Sequence, residues 1–207
     1  MLVVANFAGT GLRYIHPVEV ISMDNDSVSD TINLVRHTFR NDSQRWTMTI
    51  SLEPVAGDSA AASRLAVHRA QNKFVNTFAV EMPQHNGSPA TGALSSISVD
   101  GDHDAGSDSI SVDGATGAVE IGVGRFITFD GHDKVYMVTG DLSLTDVDSS
   151  GDLTIYPPLV GDIDDDSTID FSPDIMVRYD TNERLGVRYM NGTLVRETVN
   201  LVEALED

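Results

Sequence analysis

The run from Gln44 to Leu52, QRWTMTISL, alternates without a break. Trp46, Met48, Ile50 and Leu52 fall on one side, and Arg45, Thr47, Thr49 and Ser51 on the other. A pleated strand puts residues two apart on one face. Such a strand cannot bury its apolar side alone, so the chain must build a sheet around it. Just before it, Thr31 to Phe39 (TINLVRHTF) is rich in β-formers, and Arg40-Asn41-Asp42-Ser43 between the two has turn chemistry. The two segments are therefore expected to form a hairpin. Trp46, the only tryptophan, is expected in the core of this sheet, an anchor between subunits being the other reading.

One helix is expected. Asp58 or Ser59 can cap it, Ala60 to Asn72 is rich in helix formers, and Ala62, Ala66, Ala70 and Phe74, with Leu65, make an apolar stripe. Phe74 to Val80 starts the next strand. Further on, Asp174 to Tyr179 and Arg184 to Met190 are expected to form a hairpin about Thr181-Asn182. A last strand from Leu194 to about Val202 follows the turn at Asn191-Gly192. No stretch approaches the roughly 18 apolar residues of a membrane span. Met1-Leu2-Val3-Val4-Ala5-Asn6-Phe7 lacks a basic start and a long apolar run, so no secretion signal is expected there. The absence of cysteine excludes disulfides and thiolate metal sites.

Charge divides the chain. Thirteen basic residues face 32 acidic ones, a net charge of −19, and only Lys73 and Lys134 are lysines. Binding to phosphates needs clustered Lys and Arg, so neither stable nucleic-acid binding nor binding to an anionic membrane is expected. Residues 85–172 hold 17 of the acidic residues and two basic ones, Arg125 and Lys134, a net −15. The rest of the chain carries −4. Pro83, Gly87, Pro89 and Gly92 lead into the acidic segment, and Ser172-Pro173 leads out. The expected organisation is an outer domain of residues 1–84 plus 173–207, with an acidic domain of residues 85–172 inserted into it. The insertion reads as all β, with strands at Ala93 to Val99, Ser109 to Val112, Arg125 to Phe129, Lys134 to Thr139 and Leu153 to Tyr156. Asp130-Gly131 is a hairpin signal. So many short strands suit a small barrel such as an OB-fold. The fold class expected is mainly β with one helix, α+β: a β-sandwich-like outer domain carrying an OB-like small barrel.

No catalytic constellation stands out. There is no G-x-S-x-G elbow and no Walker loop, and Gly122-Val123-Gly124 lacks the rest of a phosphate-binding fingerprint. The histidines at 16, 37, 68, 85, 103 and 132 have no zinc-helix spacing. Calcium is the sharpest alternative. Asp146-Val147-Asp148-Ser149-Ser150-Gly151 matches the opening of an EF-hand loop, but the twelfth position is Pro157 where a Glu is needed. Asp100-Gly101-Asp102-His103-Asp104 and Asp162-Ile163-Asp164 also offer oxygen ligands, although Asp and Gly are the ordinary residues of turns. The expectation is no catalytic residue, no cofactor and no metal site.

Four stretches carry a family resemblance. Arg36 to Pro54 (RHTFRNDSQRWTMTISLEP) resembles the early hairpin of phage tail-tip proteins, and Glu81-Met82-Pro83-Gln84 the step that precedes their β-rich insertion. Asp133 to Leu159 (DKVYMVTGDLSLTDVDSSGDLTIYPPL) resembles the end of that insertion, and Val187 to Leu205 (VRYMNGTLVRETVNLVEAL) the closing strand and tail of the first domain. The family is the distal tail protein of long-tailed siphophages, in its two-domain form with an inserted OB-like domain. Order and spacing carry the likeness, and the first 30 residues are not part of it. The resemblance implies a virion structural protein and not an enzyme. It implies a homo-oligomeric ring, six copies in this family, closed by the first domain between the tail tube protein and the tail-tip hub protein, with the insertion projecting outward. DNA would pass through the lumen, and tail fibres are a further candidate partner of the insertion. Such a protein is made in the host cytoplasm and ends in the phage tail tip. Two readings from other classes remain beside it: a carbohydrate-binding module that contacts host surface sugars, and a small hydrolase.

Overall fold

The computed structural model describes residues 5–7, 12–30, 32–33, 36–39, 43–55, 66, 75–84, 90–147, 149–180 and 195–205. The described chain is mostly strand. Among the described residues helix is confined to a 3-10 turn at Leu94–Ser96 and to Ala66. The helix expected over 60–72 otherwise lies outside the described residues. Two compact units emerge, Met1–Glu81 with Met176–Asp207, and Met82–Ile175. In chain order the strands are β1 (Ala5–Phe7), β2 (Leu12–Asp24), β3 (Ser27–Asp30), β4 (Arg36–Phe39), β5 (Gln44–Val55) and β6 (Phe78–Glu81). Next come β7 (Ala90–Thr91), β8 (Ser98–Val99), β9 (Ser109–Asp113), β10 (Val119–Ile121), β11 (Phe126–Phe129) and β12 (Tyr136–Val138). The last are β13 (Leu142–Leu144), β14 (Gly151–Tyr156), β15 (Ile169–Asp170), β16 (Asp174–Tyr179) and β17 (Val195–Glu203).

In the outer unit, β5 realises its alternation residue by residue. Trp46, Met48, Ile50 and Leu52 are buried, Arg45 is exposed, and Thr47, Thr49 and Ser51 are half-buried. The expected hairpin with Thr31–Phe39 does not form. β5 pairs with β2 on one side, from Asp24↔Gln44 to Tyr14↔Leu52, and with β17 on the other. With both edges taken, β5 leaves Arg36–Phe39 to pair with Ser27–Asp30 instead. The β2 register shifts between Ile15 and Val18, a stretch that contains Pro17, which has no N–H to give a ladder.

The strand order is β1-β2-β5-β17-β16-β6, and β1 closes it by pairing with both β2 and β6. The outer unit is thus a closed barrel, where a two-layer sandwich was expected. β16, the first of the two arms expected to form a hairpin about Thr181-Asn182, lies between β17 and β6. That second arm, 184–190, lies outside the described residues. The core holds the β5 residues with Phe78, Val80, Val177, Tyr179, Val199 and Leu201, all buried, and the Phe78 and Tyr179 rings sit 5.3 Å apart.

The β17–β5 ladder ends at Val202↔Thr47, and there the next side chain extends it. The Trp46 N–H donates to Glu203 Oε2 at 3.0 Å, and Glu203 is fully buried. Glu203→Ala would deprive a buried amide of this acceptor and should cost about 2 kcal/mol. Glu203→Gln keeps a carbonyl oxygen and should lose less. Urea unfolding followed by Trp46 fluorescence checks this, and equal losses in the two variants would show that the acceptor is not what matters.

The insertion holds a three-stranded sheet, β13-β10-β7, and a six-stranded one, β15-β11-β12-β14-β9-β8. The two end strands of the larger sheet meet at a Ser98↔Thr168 bridge, which the Val99 N–H reinforces by donating to Ser167 O at 3.0 Å. That sheet is therefore nearly closed on itself. Ile97, Val99, Ile110, Val112, Ile127, Phe129, Tyr136 and Leu153 are among the residues of its separate core. The segment Ala93–Val99, expected as one strand, is a 3-10 turn followed by two strand residues. The unit boundaries fall at 81/82 and 175/176, where 84/85 and 172/173 were expected. Local bonding explains the shift. The Met82 N–H donates to Pro173 O at 3.0 Å, and the Gln84 amide pairs with both backbone groups of Phe126, at 3.0 and 3.1 Å.

Candidate functional site

β2 is apolar on both sides. Its pairing sets Ile21 opposite Thr47 and Met23 opposite Arg45, so these two face away from the core. Ile21 is 46% exposed and Met23 56%. Past the Asn25 N–H bond to Ser43 O, the β2–β5 pair continues as the β3–β4 ribbon, whose eight residues are all exposed. Val28, Phe39 and, on the connection, Ile32 are large apolar groups in the open. Five of the nine exposed large apolar residues described lie between 21 and 39, a concentration that single scattered residues do not produce. Asp30 and Arg36 face each other across the ribbon, with Nε at 3.0 Å and Nη2 at 3.3 Å from the two carboxylate oxygens. An exposed pair of this kind contributes less than about 1 kcal/mol.

The outer face of the neighbouring strands is polar and short. Thr47 lies beside Val202, which lies beside Arg178, and Thr49 donates from Oγ1 to Asn200 Oδ1 at 2.8 Å. Arg45 and Arg178 are the cations of this face, and neither forms an ion pair with another described residue.

The acidic loops of the insertion brace each other. His103 and Ile163 exchange both backbone bonds at 2.9 Å. Asp165 Oδ1 accepts from the Gly101 N–H at 2.7 Å, Asp102 Oδ1 from the Asp165 N–H at 3.0 Å, and Asp162 Oδ1 from the Ala105 N–H at 2.8 Å. Asp102 and Asp162, which looked like cation ligands, thus cap backbone amides across more than 55 residues of chain, as Asp165 does. At the EF-hand-like opening, Ser149 turns back onto Asp146 O, its Oγ at 2.7 Å, in the link from β13 to β14; Asp148 lies outside the described residues. Among the described residues no three His, Asp or Glu side chains converge as a metal site requires.

The described histidines of the insertion, His103 and His132, are committed too. His103 Nε2 accepts from the Ser111 N–H at 3.1 Å. Val160 N–H donates to the Tyr136 hydroxyl at 3.2 Å, which orients that O–H towards His132 Nδ1 at 3.0 Å. His132 Nε2–H is then the donor to Asp162 O at 3.2 Å. Both ring nitrogens are engaged, so this His–Tyr pair ties the Asp130-Gly131 turn to the 157–163 loop and offers no free base. Sequence reasoning missed this network, because four-residue spacing across a turn carries no signal.

The two cations of the insertion are drawn inward. Lys134 is buried, and Arg125 Nη2 donates to Phe171 O at 2.7 Å while burial lowers the pKa of its guanidinium. The surface is left to carboxylates. Phe126, Phe129, Tyr136 and Phe171 are buried and Tyr156 is half-buried, so the aromatic side chains named here make core and not a stacking platform. No described helix is long and apolar enough to cross a membrane. A scan against protein-family models finds no match, and a search of curated proteins finds none either.

Proposed function

We propose that this chain is a structural protein of a phage virion, a distal tail protein. Its outer unit assembles into a homo-oligomeric ring, most simply of six copies, between the tail tube protein and the tail-tip hub protein. The plan of the chain carries this reading. An acidic insertion built of strands interrupts a β-barrel between β6 and β16, which are neighbours in that barrel. The same order of parts underlies the sequence resemblance. The electrostatics support it, since a lumen that lets DNA slide must not hold it, and excess carboxylate with no Lys/Arg cluster meets that requirement. Tail fibres are the partner proposed for the insertion. The burial of Phe126, Phe129, Tyr136 and Phe171 favours this reading over the sugar-binding alternative, because sugar platforms need exposed rings. The expected result for the purified chain is a particle several times the 22.3 kDa monomer by light scattering, and a ring in electron micrographs. A monomer at every concentration would overturn the self-sufficient ring.

A further inference from the structure

We infer that the insertion is built for concentrated salt: its loops 100–104 and 162–166 close on each other in a clasp that screening holds shut and dilution opens. This is independent of the ring reading. The first loop carries three carboxylates, the second carries four, and neither has a Lys or Arg. The fold nevertheless brings them together. Asp165 Oδ1 accepts from the N–H of Gly101, which Asp100 and Asp102 flank. Asp102 Oδ1 accepts from the N–H of Asp165, which Asp164 and Asp166 flank. Asp162 Oδ1 accepts from the N–H of Ala105, next to Asp104. The Gly101 amide nitrogen, 2.7 Å from Asp165 Oδ1, is one peptide bond from Asp100. Covalent geometry therefore sets the Asp100 and Asp165 carboxylates within about 8 Å of each other. Charges act over about 10 Å at 0.1 M salt and about 3 Å at 1 M. Like charge thus opposes the clasp in dilute solution and is screened in concentrated solution.

The protein itself does little to neutralise these carboxylates. Among the described residues none of the seven forms an ion pair. Of the two cations of the insertion, Lys134 is buried and Arg125 is bonded to Phe171 O. Residues 85–172 as a whole carry −15, which adds to the repulsion. Short-range contacts hold the loops: the paired backbone bonds of His103 and Ile163, and the Ile163 side chain, buried in the core. Backbone pairing and burial do not fade with screening, so ionic strength alone tips the balance. Dissolved monovalent cations supply the countercharge that the sequence omits.

The test is hydrogen exchange on the full chain in KCl. The amides of Gly101, His103, Ala105 and Ile163 should be at least about tenfold less protected at 0.1 M than at 1 M. The Trp46 amide, bonded to Glu203 in the outer unit, should change much less. Equal protection at both concentrations, or an equal change at Trp46, would overturn the clasp. A charge-reduced variant locates the effect. Asp104, Asp164 and Asp166 are exposed, and their side chains make no hydrogen bond with another described residue. Changing all three to Asn removes charge at constant size, and Asn tolerates the φ of +62° at Asp166. This variant should match the unaltered chain at high salt and keep most of its protection at low salt. If it loses protection as the unaltered chain does, the carboxylates are not what opens the loops. A few millimolar CaCl2 added at low KCl separates screening from a bound ion. It should leave exchange unchanged, and full recovery of protection would replace the screening account with a specific cation.

Discussion

Trp46→Ala is expected to destabilise the outer unit by about 3–5 kcal/mol, the range for removing a buried aromatic ring. Trp46 is 3% exposed and shares its strand face with Met48, Ile50 and Leu52, each at 1% or less. That burial, reached within a single copy, identifies it as a core residue and not a subunit anchor. The backbone bond from Trp46 N to Glu203 survives the substitution, so the loss is one of packing and cavity. None of these residues belongs to the core of the insertion. Calorimetry should therefore show one transition falling, by more than about 10 °C for a unit of this size, and another staying in place. An unchanged scan would mean that β5 is not the centre of the barrel, and a uniform drop would mean that the two cores melt as one.

Gly114→Ala should cost the insertion about 3 kcal/mol. Gly114 follows β9 with φ +78°, a left-handed conformation that an L side chain adopts at a cost of roughly 1–2 kcal/mol. Its Cβ would also stand 2.3 Å from Ser96 O, a backbone atom of the 3-10 turn that cannot swing aside. Relieving that overlap means shifting backbone beside Ile97, which belongs to the core. Gly101→Ala separates the two contributions, because Gly101 has a similar φ of +82° and nothing within 4 Å of its would-be Cβ. It should lose only about 1 kcal/mol. Chemical denaturation of both variants gives the comparison. Equal losses would show that conformation alone, without the clash, sets the cost.

Much of the architecture was legible because it rests on local period or on composition. The β5 alternation reads directly from Trp46, Met48, Ile50 and Leu52. The step in charge lies within three residues of the unit boundaries at 81/82 and 175/176. What failed has a common cause in contacts between distant residues. β2 shows no clean alternation because Ile21 and Met23 stay apolar on the outer face, so the chief partner of β5 was invisible before folding. Strands such as β7, β10, β13 and β15, of two or three residues, are too short to carry a period at all.

The candidate surfaces divide in the same way. Asp102 and Asp162 are turn residues or cation ligands by composition alone; their use as amide caps depends on a loop some 60 residues away reaching them. The sequence by itself determined that the chain is built from strands, that one segment is strongly acidic, and that phosphate binding by clustered cations is ruled out, because these follow from side-chain spacing and summed charge. Only the tertiary structure decided which strands pair, that the outer sheet closes into a barrel, and that Val28, Ile32 and Phe39 remain in the open. Those outcomes depend on which edges and faces are already occupied, and occupancy is a property of the folded chain.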